Sequence, residues 1–162
     1  MTPRTCVNPI DGLDVLDVHH RQTLFTLGKL AALVARLTRG DADAEACAMA
    51  REIVEFFSTG ARQHHEDEEM HVFPSLLASS DPQLVQAVLR LQQDHHWLAV
   101  DWLELSAPLN AVANGQSVDV DLLREMAHVF IALSHDHIGL EESCIYPQAR
   151  ARLQEQQRRK TG

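Results

Sequence analysis

The sequence predicts an all-α protein, an antiparallel up-down-up-down four-helix bundle with a short C-terminal helix. Three observations lead there. Apolar residues recur at spacings of three and four along the chain, and no run alternates as a half-buried strand would. Breaks fall in only three places, around Gly40-Asp41, Ser79-Ser80-Asp81-Pro82 and Asn114-Gly115. The segments between them are long, and long amphipathic helices joined by short connections fold back on one another.

In order, helices are expected over about 12–38, 43–72, 82–113 and 119–144, with a shorter one over about 148–158 after Pro147. Asp81-Pro82 is a good helix start, an N-cap followed by proline at the first helical position. Pro108 is expected to kink or end the third helix early, since it removes a backbone donor and crowds the preceding turn. Each helix offers one core stripe. The first carries Leu13, Leu16, His20, Leu24, Leu27, Leu30, Val34 and Leu37; the second Met49, Ile53, Phe57, His64, Glu68 and Val72. The third carries Leu84, Val88, Leu91, His95, Leu98, Trp102 and Leu105; the fourth Leu122, Met126, Phe130, Leu133, His137, Glu141 and Ile145. Every stripe is apolar except at one level, and polar groups inside a bundle are costly unless something satisfies them.

The chain has 162 residues, enough for a single domain with its own core. Its 14 Lys and Arg against 23 Asp and Glu leave a net charge of −9, which argues against nucleic acid and anionic membranes as partners. The longest apolar run, Leu30 to Ala35, is far short of a membrane span, and residues 1–10 lack the apolar core of a secretory signal. Three scattered cysteines, Cys6, Cys47 and Cys144, fit a reducing cytoplasm better than a disulfide framework. Ten histidines against a single tyrosine are the outlier.

The histidines fall into a repeat. The segment from Phe57 to Pro74 aligns without gaps to that from Phe130 to Pro147, matching His64 with His137, Glu68-Glu69 with Glu141-Glu142 and Val72-Phe73-Pro74 with Ile145-Tyr146-Pro147. Upstream of each copy stands one more histidine, His20 and His95, separated from its partner by 44 and 42 residues. Each half is thus a helical hairpin giving one His from its first helix and HxxxE from its second. Residues four apart share a helix face, so both members of each HxxxE pair reach the bundle axis. Four imidazoles and two carboxylates are enough for two bridged ions. Mixed nitrogen and oxygen donors suit iron or another first-row metal, while an iron–sulfur cluster, calcium and magnesium fit poorly.

His20, His64-x-x-x-Glu68, His95 and His137-x-x-x-Glu141, with the EExx(V/I)(F/Y)P endings, resemble the hemerythrin-like, HHE cation-binding family over roughly residues 10–150. The resemblance implies a non-heme, oxo- or hydroxo-bridged centre of two Fe ions. Glu68 and Glu141 would bridge, and His20, His64, His95 and His137 would be terminal ligands. Oxygen-carrying hemerythrins place HxxxH on the third helix, whereas here Ala99 follows His95 by four residues. That departure points away from a carrier and towards a sensor, scavenger or redox enzyme.

Only one member of each doublet fits its stripe, which puts His19, His65 and His96 on the outer face; His65, next to His64, is the alternative ligand. His128 and His135 are expected in solvent. His71 and Cys144 hold equivalent repeat positions facing the site or its mouth, either as fillers or as a proton shuttle and a redox-sensitive thiol. Asp17, three residues before His20, either orients an imidazole or is solvated. In the acidic run Glu66 to Glu69, only Glu68 lies on the apolar stripe. A zincin lacks its second His here, a ferritin-like site would need ExxH, and no phosphate loop or GxSxG elbow is present.

Three functions follow from this reading. The centre binds or senses dioxygen or nitric oxide, or it decomposes peroxide or reduces nitric oxide, or the protein stores, donates or repairs iron. The expected partners are a small diatomic ligand or peroxide and an electron donor.

Overall fold

The computed structural model describes residues 9–40 and 42–162, with side chains described from residue 12 onward. All described secondary structure is helical. The elements are α1 (Pro9–Thr38), α2 (Ala44–Ser58), α3 (Gly60–His71), α4 (Phe73–Leu77), α5 (Pro82–Ala113) and α6 (Val120–Leu140). A single π turn (Glu141–Ile145) then leads directly into α7 (Tyr146–Thr161). Cys6 lies outside the described residues.

The starts of three helices are set by aspartates. The Asp43 carboxylate accepts from Ala46 N, that of Asp81 from Gln83 N and that of Asp119 from Leu122 N, satisfying amides that have no partner within the helix. After α1 and α5 the chain turns at Gly40 and Gly115, with φ of 87° and 72°, a left-handed conformation that glycine takes without strain.

The boundaries depart from the sequence reading at Thr59 and at Pro147, and of the kink or early end expected at Pro108 the early end does not occur. The helix expected over 43–72 is interrupted at Thr59, whose hydroxyl donates to the Glu55 carbonyl at 2.7 Å and competes with the helical ladder just before Gly60. Pro108 does not end the third helix: α5 runs through to Ala113, because Leu105, Leu109 and Val112 are buried on one face and their packing overrides the lost donor. Pro147 does not separate a C-terminal helix either. A proline leaves the carbonyl four residues back without a donor and crowds it, and the widened π turn falls on that residue, Ser143.

α1 packs against α2 and α6, and α5 packs against the same two helices. Two apolar cores result. One is built from Leu27, Leu30, Ile53, Phe57, Leu105, Leu109, Leu123 and Phe130 among others; the second from Leu13, Leu16, Val72, Phe73, Leu76, Leu84, Leu91, Ile145 and Tyr146. Fully buried side chains of this size contribute about 1.5–3 kcal/mol each. Along α1 and α5 the histidines His20 and His95 fall between the two cores, which is the polar level visible in the stripes. The stripe of the fourth helix needs correction. Leu122 is 53% exposed, and the inward face is instead Leu123, Ala127, Phe130, Ser134 and His137. Small residues such as Ala127 and Ser134 bury easily but carry little apolar signal. Among the described residues, no helix is long and apolar enough to cross a membrane.

Candidate metal centre

The six sequence-derived candidates meet between the two cores. His20, His64, Glu68, His95, His137 and Glu141 are all buried, with Glu68 and Glu141 shut off from solvent altogether. All four imidazoles turn Nε2 inward. Glu68 Oε1 lies 3.0 Å from His64 Nε2 and 3.9 Å from His20 Nε2, while its Oε2 lies 3.2 Å from His95 Nε2. Glu141 Oε2 lies 2.9 Å from His20 Nε2, while its Oε1 lies 2.9 Å from His137 Nε2 and 3.7 Å from His95 Nε2. Each carboxylate therefore gives one oxygen to the His20/His64 pair and the other to the His95/His137 pair.

These atoms are poorly satisfied by one another. His64 Nε2, Glu68 Oε2 and both Glu141 oxygens are buried without a hydrogen-bond partner. Burying a carboxylate costs several kcal/mol that ordinary packing does not return. A cation removes that cost, so the donors fit a metal. Two overlapping sets of potential ligand atoms, each within 4.8 Å of one another, occur here: His20, His64, Glu68 and Glu141, and His65, Glu68, His95 and His137. Glu68 belongs to both.

The second set contains His65, contrary to its expected outer-face position. The imidazole of His65 stacks on that of His95 with centroids 4.1 Å apart and meets His137 edge-on at 5.4 Å. Adjacent helical positions differ by about 100°, but a wide bundle interior accepts both members of a doublet. His19 is also drawn in, stacking between His64 at 4.4 Å and Phe56 at 5.2 Å. His96 is exposed, as are His128 and His135. His71 is exposed and away from the site, and Cys144 is partly buried against the second core, so neither faces the centre.

Outer partners fix the ring orientations. His95 Nδ1 donates to Glu69 at 2.8 Å, and His20 Nδ1 to Glu142 at 3.2 Å. The repeat works crosswise: the second Glu of each doublet holds the histidine of the other hairpin. Such carboxylates fix the tautomer that leaves Nε2 free for a metal. The sequence sets Glu69 off the apolar stripe and matches it to Glu142 in the repeat; that repetition was the available sign of a role. Asp94 Oδ2 stands 3.6 Å from His137 Nδ1, within ion-pair range. Asp17 pairs with Arg150 of α7 and also brings a carboxylate oxygen within 4.8 Å of a ring nitrogen of His20. Tyr146, quoted above only as part of a motif, is the residue most fully missed. Its hydroxyl donates to Glu68 Oε1 and lies 3.2 Å from His20 Nε2.

Charge follows the geometry. Burial opposes protonation of His95, but its contacts with the carboxylates of Glu141, Glu68 and Glu69 outweigh it and raise its pKa to about 10. His20 is raised for the same reasons, with Glu141 its main partner. Burial and neighbouring imidazoles push His19 down to about 4 and His65 well below the usual range, leaving both neutral. Burial raises the Glu141 carboxyl, but the imidazoles of His137, His20 and His95 in ion-pair contact with it hold it well below normal. A cation bound at these nitrogens would displace protons from His20 and His95.

A cavity of about 610 Å³ opens onto the centre past His19, His65, Ala99 and Trp102. Its walls include Phe57, Leu98, Phe130 and Ile138, so the approach is largely apolar.

Residues 11–149 match the hemerythrin HHE cation binding domain. The chain is also 33% identical over 91 residues to an uncharacterized protein of Haemophilus influenzae, a match covering 56% of this chain and 51% of that relative. The aligned part spans about half of the relative's length. With its two crosswise hairpins of His and HxxxE, the chain belongs to the hemerythrin HHE cation-binding family.

Proposed function

We propose that the protein is a non-heme di-iron protein that binds or reacts with dioxygen, nitric oxide or peroxide. The single observation behind this is the division of each buried carboxylate between two pairs of imidazoles, which suits two bridged ions better than one. His20 and His64 would hold one iron and His95 and His137 the other, on a single-domain antiparallel bundle of α1, α2 with α3, α5 and α6. Such a centre, when bound, supplies electrons to a small oxidant and open positions for it.

The chain's own residues define the rest. Glu69 and Glu142 hold the rings of His95 and His20 with Nε2 pointing inward. The largely apolar walls of the cavity admit a small uncharged ligand to the buried centre. Ala99, which lines that cavity, leaves space where oxygen carriers of this family place a histidine. That space favours reaction over simple carriage. The test is to reduce the iron-loaded protein anaerobically and mix it with dioxygen, and separately with hydrogen peroxide, in a stopped-flow spectrometer. Irreversible oxidation with peroxide turnover supports the reading. Repeated, fully reversible uptake and release of dioxygen under alternating gas would overturn it in favour of a carrier.

A further inference from the structure

The internal repeat makes the two halves of the centre near-copies, so the places where it fails are informative. His20 corresponds to His95, His64 to His137, Glu68 to Glu141, and the outer pair Glu142–His20 to Glu69–His95. The aromatic residues correspond as well. Phe73 stacks on His95 at 5.5 Å and 17°, and Tyr146 stacks on His20 at 5.0 Å and 8°. Around the centre the equivalence breaks at three positions: His19, stacked on His64, stands where the other copy has Asp94 beside His137, and two further differences bring in potential ligands. Tyr146 carries a hydroxyl that Phe73 lacks, and His65 stands where the other copy has Ile138.

We propose that the two metal positions are chemically distinct. His65 adds a third imidazole to the His95/His137 position, and Tyr146 adds a phenolic oxygen to the His20/His64 position. This deepens the two-ion reading above and rests on it. Tyr146 is fully buried, so its hydroxyl must find its partner inside, and that partner is Glu68 Oε1, the oxygen turned to the His20/His64 side. The same hydroxyl lies 3.2 Å from His20 Nε2. A bound cation inverts the local preference for the protonated form and draws off the proton of a coordinating acid. On the other side, one ligand atom from each of His65, His95, His137 and Glu68 lies within 4.8 Å of the others. A position with three imidazoles suits the softer ferrous state, and one with a phenolic oxygen the harder ferric state.

The test uses the full chain stripped of metal, titrated with cobalt(II) by calorimetry and absorption, and separately loaded with ferric iron. We expect two resolved binding steps in the wild-type protein. His65→Gln should weaken one of them roughly 10–100-fold and leave the other unchanged. Tyr146→Phe should still take up two ions, its ring matching Phe73 of the other copy. It should lose a visible phenolate-to-iron charge-transfer band, and the matching phenolate modes in resonance Raman spectra, that the wild-type and His65→Gln ferric proteins both show. Two ions bound in indistinguishable steps, or a wild-type ferric protein with no phenolate band, would overturn this inference while leaving the two-ion reading intact. Wild-type protein that takes up fewer than two ions would overturn the two-ion reading itself, and this inference with it.

Discussion

The outer glutamates offer a sharp test of how the centre is held. Glu69 and Glu142 have side chains 44% and 47% exposed, yet each accepts from the Nδ1 of a ligand histidine, at 2.8 and 3.2 Å. Replacing either by Gln keeps the shape and removes the charge that fixes the imidazole tautomer. Outer partners of this kind typically change metal affinity 10–100-fold, or about 1.4–2.8 kcal/mol. At saturating metal that difference appears directly in folded-state stability. For a domain of this size it corresponds to a melting midpoint about 3–11 °C lower in the metal-loaded protein. Without metal, a half-exposed Glu→Gln change should stay within about 0.5 kcal/mol. Glu66→Gln is the control, since Glu66 is exposed in the same acidic run and, among the described residues, pairs with Arg62 at 3.1 Å. The assay is thermal unfolding with and without metal, paired with competitive metal titration. If Glu69→Gln and Glu142→Gln bind metal as tightly as Glu66→Gln, the crosswise support is wrong.

Other perturbations test other levels of the account. Leu123→Ala should cost about 2–5 kcal/mol in denaturant unfolding, because Leu123 is fully buried, while Leu122→Ala, half-exposed, should stay within about 0.5 kcal/mol. Ala99→Phe narrows the cavity above the centre; it should slow reaction with a bulky organic hydroperoxide more than with hydrogen peroxide while leaving metal content unchanged, and equal slowing would exclude this route. Histidine titration gives a pH prediction for the metal-free protein. The pKa of His95 is raised from 6.5 to about 10, so its ion pairs stabilise the fold fully below 6.5 and are lost as pH rises through about 10. Metal-free protein should therefore lose stability across that window while metal affinity rises, and unfolding midpoints measured at several pH values check both signs.

Much of this was legible in the sequence because a bundle interior punishes polar residues. His20, His64, Glu68, His95, His137 and Glu141 stood out as breaks in apolar stripes, and the repeat fixed their spacing. What escaped had physical reasons. His65 was assigned outward because its neighbour His64 already held the inward register, yet its ring folds back onto His95. Tyr146 falls one residue past the predicted stripe, which ends at Ile145, and periodicity sees rings, not hydroxyls. The Thr59 interruption and the π turn are local backbone adjustments beside a side-chain hydroxyl and a proline, too short to show in an apolar pattern read over whole helices. Leu122 and Leu123 form a doublet in which apolar character alone does not choose the inner residue; burial of Ala127 and Ser134 on the same face does.

The central claim is that Glu68 and Glu141 are shared between two metal positions. Its most direct test is metal analysis of gel-filtered protein after anaerobic iron loading, run on wild type, Glu68→Ala and Glu141→Ala. We expect two irons per chain in the wild type and loss of both ions in each variant, since either carboxylate serves both positions. A wild type holding one iron, or variants that each keep one tightly bound ion, would contradict it.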